Sequence, residues 1–208
     1  ANRTMESMTI ASSIQNLRRS IHETVVKANQ KPGSIQLVIV TKTVPPERIL
    51  EAYQTGERDF GENHVQEWRE KKGALPGDIR WHLIGHLQTN KVKYVIGQMA
   101  LIHSLDRLEL ADEIQKQAKS KGIGEVPCLV QVNMSGEESK FGLDPACVED
   151  FVRQMPLRHL IRIRGLMSIG PLTEDEGKIR ECFRKMRELR ENLKKNGGFV
   201  PGIRPGKN

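Results

Sequence analysis

The 208-residue sequence contains little cysteine and few aromatic residues, and it has no long apolar run. Its three cysteines, Cys128, Cys147 and Cys182, form no C-x-x-C pair, so the sequence predicts neither a disulfide framework nor a zinc site. No stretch approaches the roughly 20 apolar residues that cross a bilayer, and the N-terminus lacks the basic, apolar and small-residue order of a signal peptide. We therefore expect a cytoplasmic protein with no membrane partner.

The basic side chains are not distributed as in a nucleic-acid-binding protein. The formal net charge is +7, yet residues 1–155 contain 20 basic and 20 acidic side chains, whereas residues 156–208 contain 13 and 6. In this last part the basic residues alternate with apolar ones at helical spacing, which predicts the solvated face of one amphipathic helix. Neither interleaved aromatic residues nor a second basic element accompanies them. We therefore expect no nucleic-acid partner.

A leading helix and six strand-and-helix units account for most of the chain. Apolar residues at helical spacing predict an amphipathic helix over about residues 7–30, which Lys31-Pro32-Gly33 ends. Short apolar runs that precede turn residues predict six strands: Ile35–Val40, Arg58–Phe60, Arg80–Ile84, Leu101–His103, Cys128–Val132 and Ile161–Met167. The helices predicted between and after them are Pro46–Thr55, Val65–Lys72, Thr89–Ile96, Leu105–Ser120, Pro145–Gln154 and Glu174–Lys195.

This alternation implies a parallel sheet with right-handed crossovers, either open and doubly wound or closed into a barrel. The spacing of the units favours the barrel, as do the polar residues that follow the strands. These residues are Lys42, Glu62-Asn63, Gly85-His86, Ser104, Asn133 and Ser168. Barrel proteins build their sites at this end of the sheet. We therefore predict an α/β fold, a TIM-like (β/α) barrel with an extra N-terminal helix.

Lys42 follows the predicted strand Ile35–Val40 almost directly and is flanked by two threonines. A lysine at the mouth of a barrel loses ammonium solvation, which lowers its pKa and frees the amine to form a Schiff base with an aldehyde. The alternative is an ordinary solvated lysine at the end of a strand. Spacing alone leaves both interpretations open.

Two further groups of residues give weaker indications of a binding site. His82 and His86 are four residues apart, but they flank the end of a predicted strand rather than sharing a helix face, so we predict no metal site. The run from Gly165 to Gly170 ends another strand with a hydroxyl, Ser168, and two glycines. Backbone N–H groups in such a turn can approach a phosphate.

Six motifs taken together resemble the pyridoxal phosphate homeostasis protein family. They occur in family order and, with the helices between them, cover roughly residues 7–196. The motifs are Val40-Thr-Lys42-Thr-Val-Pro45, Phe60-Gly-Glu-Asn63-His-Val-Gln-Glu67, Trp81-His-Leu-Ile-Gly85-His-Leu-Gln88, His103-Ser-Leu-Asp106, Gln131-Val-Asn133-Met-Ser-Gly-Glu-Glu-Ser-Lys140-Phe-Gly142 and Gly165-Leu-Met-Ser168-Ile-Gly170.

The resemblance implies a barrel similar to the N-terminal domain of alanine racemases. It also implies that pyridoxal 5'-phosphate is held as an internal aldimine with Lys42. Asn63, His82 and the turn containing Met167, Ser168 and Gly170 would lie near this cofactor. The family is regarded as a carrier or buffer for vitamin B6, so we expect reversible storage, release to pyridoxal-phosphate-dependent apoenzymes, and no catalytic residue. We also expect a monomer.

A racemase acting on the same cofactor is the alternative function. Alanine racemases take a second acid or base, a tyrosine, from a separate domain of the partner subunit. This sequence has no such domain, and its only tyrosines, Tyr53 and Tyr94, fall in predicted helices. The enzyme interpretation is therefore the weaker of the two.

The C-terminal residues depart from the family pattern. Relatives continue with two more strands, one bearing a Ser-x-Gly-Met-Ser-x-Asp stretch and the other an Arg-x-Gly pattern, which Arg204-Pro205-Gly206 does not reproduce. Residues 197–208 instead contain four glycines and two prolines without alternation, which predicts a disordered tail after a barrel domain at 1–196. Loss of the last two units leaves open a truncated product that no longer binds the cofactor.

Overall fold

A parallel sheet of six strands follows chain order, β1-β2-β3-β4-β5-β6, in the computed structural model of the chain. The structure describes residues 8–138 and 140–196. The strands are β1 (Ile39–Val40), β2 (Asp59–Glu62), β3 (Arg80–Leu83), β4 (Leu101–Leu105), β5 (Val126–Gln131) and β6 (Ile161–Met167). The predicted α/β class with a parallel sheet is confirmed, and the predicted tail at 197–208 lies outside the described residues.

Seven helices lie between and around these strands in the described part of the chain. They are α1 (Ile10–Lys27), α2 (Pro46–Gln54), α3 (Val65–Lys72), α4 (Val92–Val95), α5 (Leu108–Ser120), α6 (Val148–Arg153) and α7 (Glu176–Lys195). Short 3-10 turns at Thr89–Lys91 and Pro145–Cys147 precede α4 and α6, and a third at Met155–Leu157 follows α6. The last helix begins two residues later than predicted, because the Asp175 side chain accepts from the N–H groups of Gly177 and Lys178.

Five of the six strand predictions were wrong at one or both ends, the first and the fourth among them. The first strand was predicted from Ile35, but only Ile39 and Val40 pair with β2, opposite Phe60 and Gly61. The fourth strand runs to Leu105, which was predicted to start a helix. That side chain is fully buried and its backbone pairs with Val130, so the chain stays extended until α5 begins at Leu108.

The chain divides into two compact units. The first runs up to Glu62 and includes Gln66–Arg80, and it contains α1, β1, α2, β2 and all of α3 except Val65. Phe60, Trp68 and Ile49 are its largest buried apolar side chains, each at most 1% exposed. Burial of such side chains stabilises the unit by about 1.5–3 kcal/mol each.

The second unit comprises Asn63–Val65 and the chain from Trp81 onward. Its core includes fully buried aliphatic side chains on β4, β5 and α5, which are Leu105, Val130, Leu110 and Ile114. Gly85, after β3, lies directly against the backbone of Asn63. A Cβ added at Gly85 would lie only 2.2 Å from the Asn63 carbonyl oxygen. Only glycine permits this approach of the two backbone segments.

The three cysteines are free thiols, with Cys128 and Cys182 buried and Cys147 exposed. Burial raises the pKa of the Cys128 thiol far above its ordinary value, so that thiol is inert. None of the helices in the described ranges has the length and apolar character that a bilayer span requires.

We predict that Gly85→Ala destabilises the protein by about 2 kcal/mol or more, because the new methyl group collides with backbone atoms that have no rotamer to change. The measurement is the free energy of unfolding in urea. Gly73→Ala is the matched control, since a Cβ there meets nothing within 4 Å, and its effect is expected to stay within about 0.5 kcal/mol. Equal stabilities of the two variants would contradict the close contact.

Candidate functional site

The six residues predicted to bind the cofactor are divided between the two units. Lys42 belongs to the first unit, two residues after β1, and its side chain is exposed. The other five belong to the second unit: Asn63, His82, Met167, Ser168 and Gly170. In both units the strands that carry these residues run parallel to their neighbours. Each residue lies within or soon after the carboxyl-terminal half of a strand, and His82 is the third of the four residues of β3.

Lys42 is the second residue of a four-residue turn, Thr41 to Val44. The Thr41 carbonyl accepts from the Val44 N–H at 3.0 Å, which closes the turn. Thr43, the third residue, has a φ of +63°, a conformation that β-branched residues rarely adopt. The Thr43 hydroxyl donates to the carbonyl of Lys42 at 2.6 Å. The backbone around the lysine is therefore held in one unusual conformation.

The buried ammonium of Lys71 is linked to the residues on both sides of Lys42, directly to Thr41 and through Glu67 to Thr43. Lys71 Nζ, on α3, donates to the Thr41 carbonyl at 2.8 Å, to Glu62 Oε1 at 3.0 Å and to Glu67 Oε1 at 2.5 Å. Glu67 Oε1 also accepts from the N–H of Thr43. The three donor positions of the ammonium are thus all used.

The charges in this cluster are unequal, with two carboxylates and one ammonium. Burial lowers the pKa of Lys71, but hydrogen bonds to Glu67 and Glu62 and the attraction of their charges outweigh it, so the pKa is raised. Glu62 is fully buried, and its Oε1 also accepts from the Thr41 hydroxyl at 2.6 Å. Its other oxygen, Oε2, has no hydrogen-bond partner among the described residues. Because its pKa is raised, Lys71 remains charged at neutral pH.

In the second unit His82 forms a close pair with His103. The Nδ1 atom of His82 lies 2.9 Å from the Nε2 atom of His103, and the rings meet edge to face. His82 is only 4% exposed. Burial, and secondarily the charge of His82, lower the pKa of His103 to about 4. His103 is therefore neutral at physiological pH, and one proton between the two nitrogens forms the hydrogen bond.

The turn after β6 contains Met167, Ser168 and Gly170. Met167 ends the strand, and its carbonyl accepts from the Val132 N–H at 2.8 Å. The Ser168 hydroxyl has only a long contact, 3.4 Å, to the carbonyl of Ile169. Within the described residues the backbone N–H groups of Ser168, Ile169 and Gly170 donate to no protein acceptor. Three N–H donors in succession form the kind of turn that can bind an anion.

His82 and His86 make different contacts in the described part of the chain. His86 stacks on Phe141, with ring centroids 4.0 Å apart, and its Nδ1 is buried without a hydrogen-bond partner in the described part of the chain. Across the ranges that the structure describes, no three His, Cys, Asp or Glu side chains are placed to bind a metal ion. The two histidines thus have different surroundings, as the strand interpretation implied.

The two tyrosines lie on helices, as predicted, with Tyr53 on α2 and Tyr94 on α4. The Tyr53 hydroxyl donates to Asp78 Oδ1 at 2.7 Å, and the Arg58 guanidinium lies 3.8 Å from its ring centroid. The hydrogen bond to Asp78 raises the pKa of the Tyr53 phenol. This phenol is therefore a structural group on the surface of the first unit.

Several residues of the site were missed by sequence reasoning. Glu67 and Lys71 are four apart on a predicted helix, and this spacing alone suggests an ion pair. Glu62 was noted only as a polar residue at the end of a strand. His103 ended a predicted strand, but no sequence signal pairs it with His82. These contacts need the folded chain to bring distant residues together.

Comparisons with known proteins agree on the family. The sequence model of the family described as the alanine racemase N-terminal domain matches residues 9–208. A curated relative from Aquifex aeolicus, named pyridoxal phosphate homeostasis protein, is 43% identical over 176 residues, which cover 84% of this chain and 77% of the relative. A relative of the same name from Pasteurella multocida is 36% identical over 193 residues, covering 90% and 81%.

Solved structures similar to this chain include a protein of related sequence and a more distant one that shares only the fold. PipY of Synechococcus elongatus, solved with PLP bound, has a TM-score of 0.77 at 33% identity, covering 92% of this chain and 85% of that one. An alanine racemase from Clostridium difficile has a TM-score of 0.63 at 15% identity, covering 91% and 50%, and this likeness concerns the fold alone. With the parallel sheet, these matches confirm the predicted TIM-like fold class.

We predict that the His82 and His103 pair makes stability depend on pH. The folded pKa of His103, about 4, lies below its ordinary value of 6.5, so the unfolded chain binds a proton first. Stability is therefore complete above about pH 6.5 and falls between pH 6.5 and pH 4, by at most about 3 kcal/mol at about 1.4 kcal/mol per pKa unit. Urea unfolding across this range measures it. The His103→Asn variant should lose this component, and an unchanged pH profile in that variant would contradict the assignment.

Proposed function

The chain belongs to the pyridoxal phosphate homeostasis protein family, and from that membership we propose that it binds pyridoxal 5'-phosphate through Lys42 and serves as a carrier or buffer for it. The observation that carries the proposal is that Lys42 is exposed on a turn in which its two neighbours, Thr41 and Thr43, are hydrogen-bonded to Lys71 and Glu67.

The first unit suits the aldehyde of the cofactor. A primary amine must reach the aldehyde carbon, and the Lys42 side chain is exposed, with no hydrogen-bond or ion-pair partner among the described residues. Glu62 and Glu67, the carboxylates that bind the residues on either side of Lys42, are both bonded to Lys71. The amine is therefore not consumed by a salt bridge within the unit.

The second unit suits the phosphate. The successive N–H groups of Ser168, Ile169 and Gly170, with the Ser168 hydroxyl, are donors of the type that phosphate oxygens accept. A Cβ at Gly170 would lie 3.5 Å from the Phe183 ring, so the backbone here is backed by one aromatic side chain and open otherwise. Asn63 and His82 complete the proposed set, Asn63 through its amide and His82 through its ring.

When bound, pyridoxal phosphate supplies an aldehyde that condenses reversibly with an amine. The roles of the chain are to present the amine of Lys42, to donate hydrogen bonds to the phosphate, and to keep His82 in one orientation through His103. These roles store a reactive aldehyde and later release it to an apoenzyme. We further propose that the protein acts as a monomer in the cytoplasm.

Carrier function requires binding without turnover. A racemase needs a second proton donor or acceptor on the other face of the cofactor. In this chain the Tyr53 phenol is bonded to Asp78, and the curated relatives are named as homeostasis proteins rather than as enzymes. The racemase alternative therefore has no supporting observation.

We predict that adding pyridoxal phosphate to the protein produces the visible absorbance of a lysine-bound cofactor, and that Lys42→Ala abolishes it. Titration by absorbance, followed by borohydride trapping and peptide mass mapping, measures both the affinity and the modified residue. Lys31→Ala, which removes another exposed lysine of the first unit, is the control and should bind normally. Identical spectra for wild type and Lys42→Ala, or no absorbance change in the wild type, would overturn the proposal.

A further inference from the structure

We propose that Glu67 is a positioning residue for Lys42 and that it acts through the backbone of Thr43. The inference rests on the proposed function, because it concerns how well the Lys42 amine is placed for an aldehyde. The observation is that one carboxylate oxygen, Glu67 Oε1, accepts both from the Thr43 N–H and from the Lys71 ammonium.

The first step of the argument is that the turn needs an external constraint. A non-glycine residue in the left-handed region costs roughly 1–2 kcal/mol, and Thr43 is β-branched. Turns with a positive φ at this position usually have glycine or asparagine there. Without another interaction, Thr43 would relax toward a negative φ, and the peptide plane between Lys42 and Thr43 would rotate. The direction of the Lys42 side chain would change with it.

The second step is that Glu67 supplies that constraint from a rigid element. It lies on α3, next to Trp68, which is only 1% exposed and anchors the helix in the core of the first unit. The ammonium of Lys71 fixes the position of the carboxylate on the same helix, one turn further along. The oxygen that meets Thr43 is therefore placed before any ligand arrives.

The third step concerns the other side of Lys42. The Thr41 carbonyl is bound by Lys71 and the Thr41 hydroxyl by the buried Glu62. Lys42 thus lies between two residues that are both bonded to the Glu62, Lys71 and Glu67 cluster. Because the exposed Lys42 side chain has no partner of its own in the described part of the chain, its placement depends on the backbone alone. Misplacement of a reacting group by about 1 Å can lower its reactivity a hundredfold.

The experiment compares Glu67→Ala, Glu67→Gln and Glu67→Asp with the wild type. Gln keeps an oxygen acceptor at the same distance from the backbone but removes the charge. Asp keeps the charge but is shorter by one methylene, so its oxygen withdraws from Thr43. Glu70→Ala is the control on the same helix, since Glu70 is exposed and accepts from Gln66 at 2.8 Å.

The first readout needs no cofactor. Amide hydrogen exchange at Thr43, followed by NMR, should be about tenfold faster or more in Glu67→Ala, and faster in Glu67→Asp, because the N–H has lost its acceptor. Exchange should stay near the wild-type rate in Glu67→Gln and in Glu70→Ala. Unfolding in urea gives the global stability of each variant, so local and global opening are distinguished.

The second readout is the affinity for pyridoxal phosphate together with the fraction of borohydride-trapped cofactor found on Lys42. We expect the affinity to fall about tenfold in Glu67→Ala, with trapping spread to other exposed lysines, and to recover in Glu67→Gln. A purely stabilising role for the ion pair with Lys71 gives the opposite order, with Glu67→Asp closer to the wild type than Glu67→Gln.

The outcomes separate this inference from the proposed function. If the wild type is trapped at Lys42 and Glu67→Ala is trapped there with equal affinity, the positioning role is overturned while the proposed function stands. A binding order that follows the retained charge, with Asp above Gln, overturns it as well. If the wild type is not trapped at Lys42, the proposed function fails, and the positioning role fails with it.

Discussion

The buried ammonium of Lys71 is the interaction on which the first unit depends most. It joins the end of β1, through the Thr41 carbonyl, to the end of β2, through Glu62, and both to the helix that carries Glu67. Removing one member of a buried charged cluster leaves the others unpaired, at a cost of about 3–5 kcal/mol. An apolar replacement would fill the space but would leave no donor for Thr41. The cluster therefore gives the turn at Lys42 a defined shape as well as contributing to stability.

In the second unit neutral groups, rather than charged ones, fix the local structure. His82 and His103 hold each other by one hydrogen bond in a place where burial disfavours a charged imidazole. Gly85 allows the chain after β3 to pass against the backbone of Asn63, which a side chain would prevent. The N–H groups after β6 remain available because the strand ends there and the next helix is capped by its own Asp175. The turn after β6 thus keeps its backbone N–H groups available for a ligand.

Sequence patterns predicted most of the secondary structure, because apolar periodicity reports burial directly. The sixth strand was predicted with its observed limits, since apolar residues and flanking turn residues both mark them. The first strand was predicted too long, because apolar residues at 35–38 were taken as evidence of pairing that the fold does not make. The second was predicted too short, because a pattern cannot show that the carboxylate of Glu62 is compensated by a lysine nine residues further on.

The candidate site, like the secondary structure, was predictable from the sequence only in part. The sequence by itself determined the parallel α/β class and the family, and it singled out Lys42 as the candidate lysine, because residue types and their order along the chain contain that information. Only the tertiary structure decided that Thr43 adopts a left-handed conformation, that Glu67 and Lys71 flank the lysine's turn, and that His103 is neutral. The physical reason is that hydrogen bonds, desolvation and backbone strain depend on distances between groups far apart in sequence, and folding alone sets those distances.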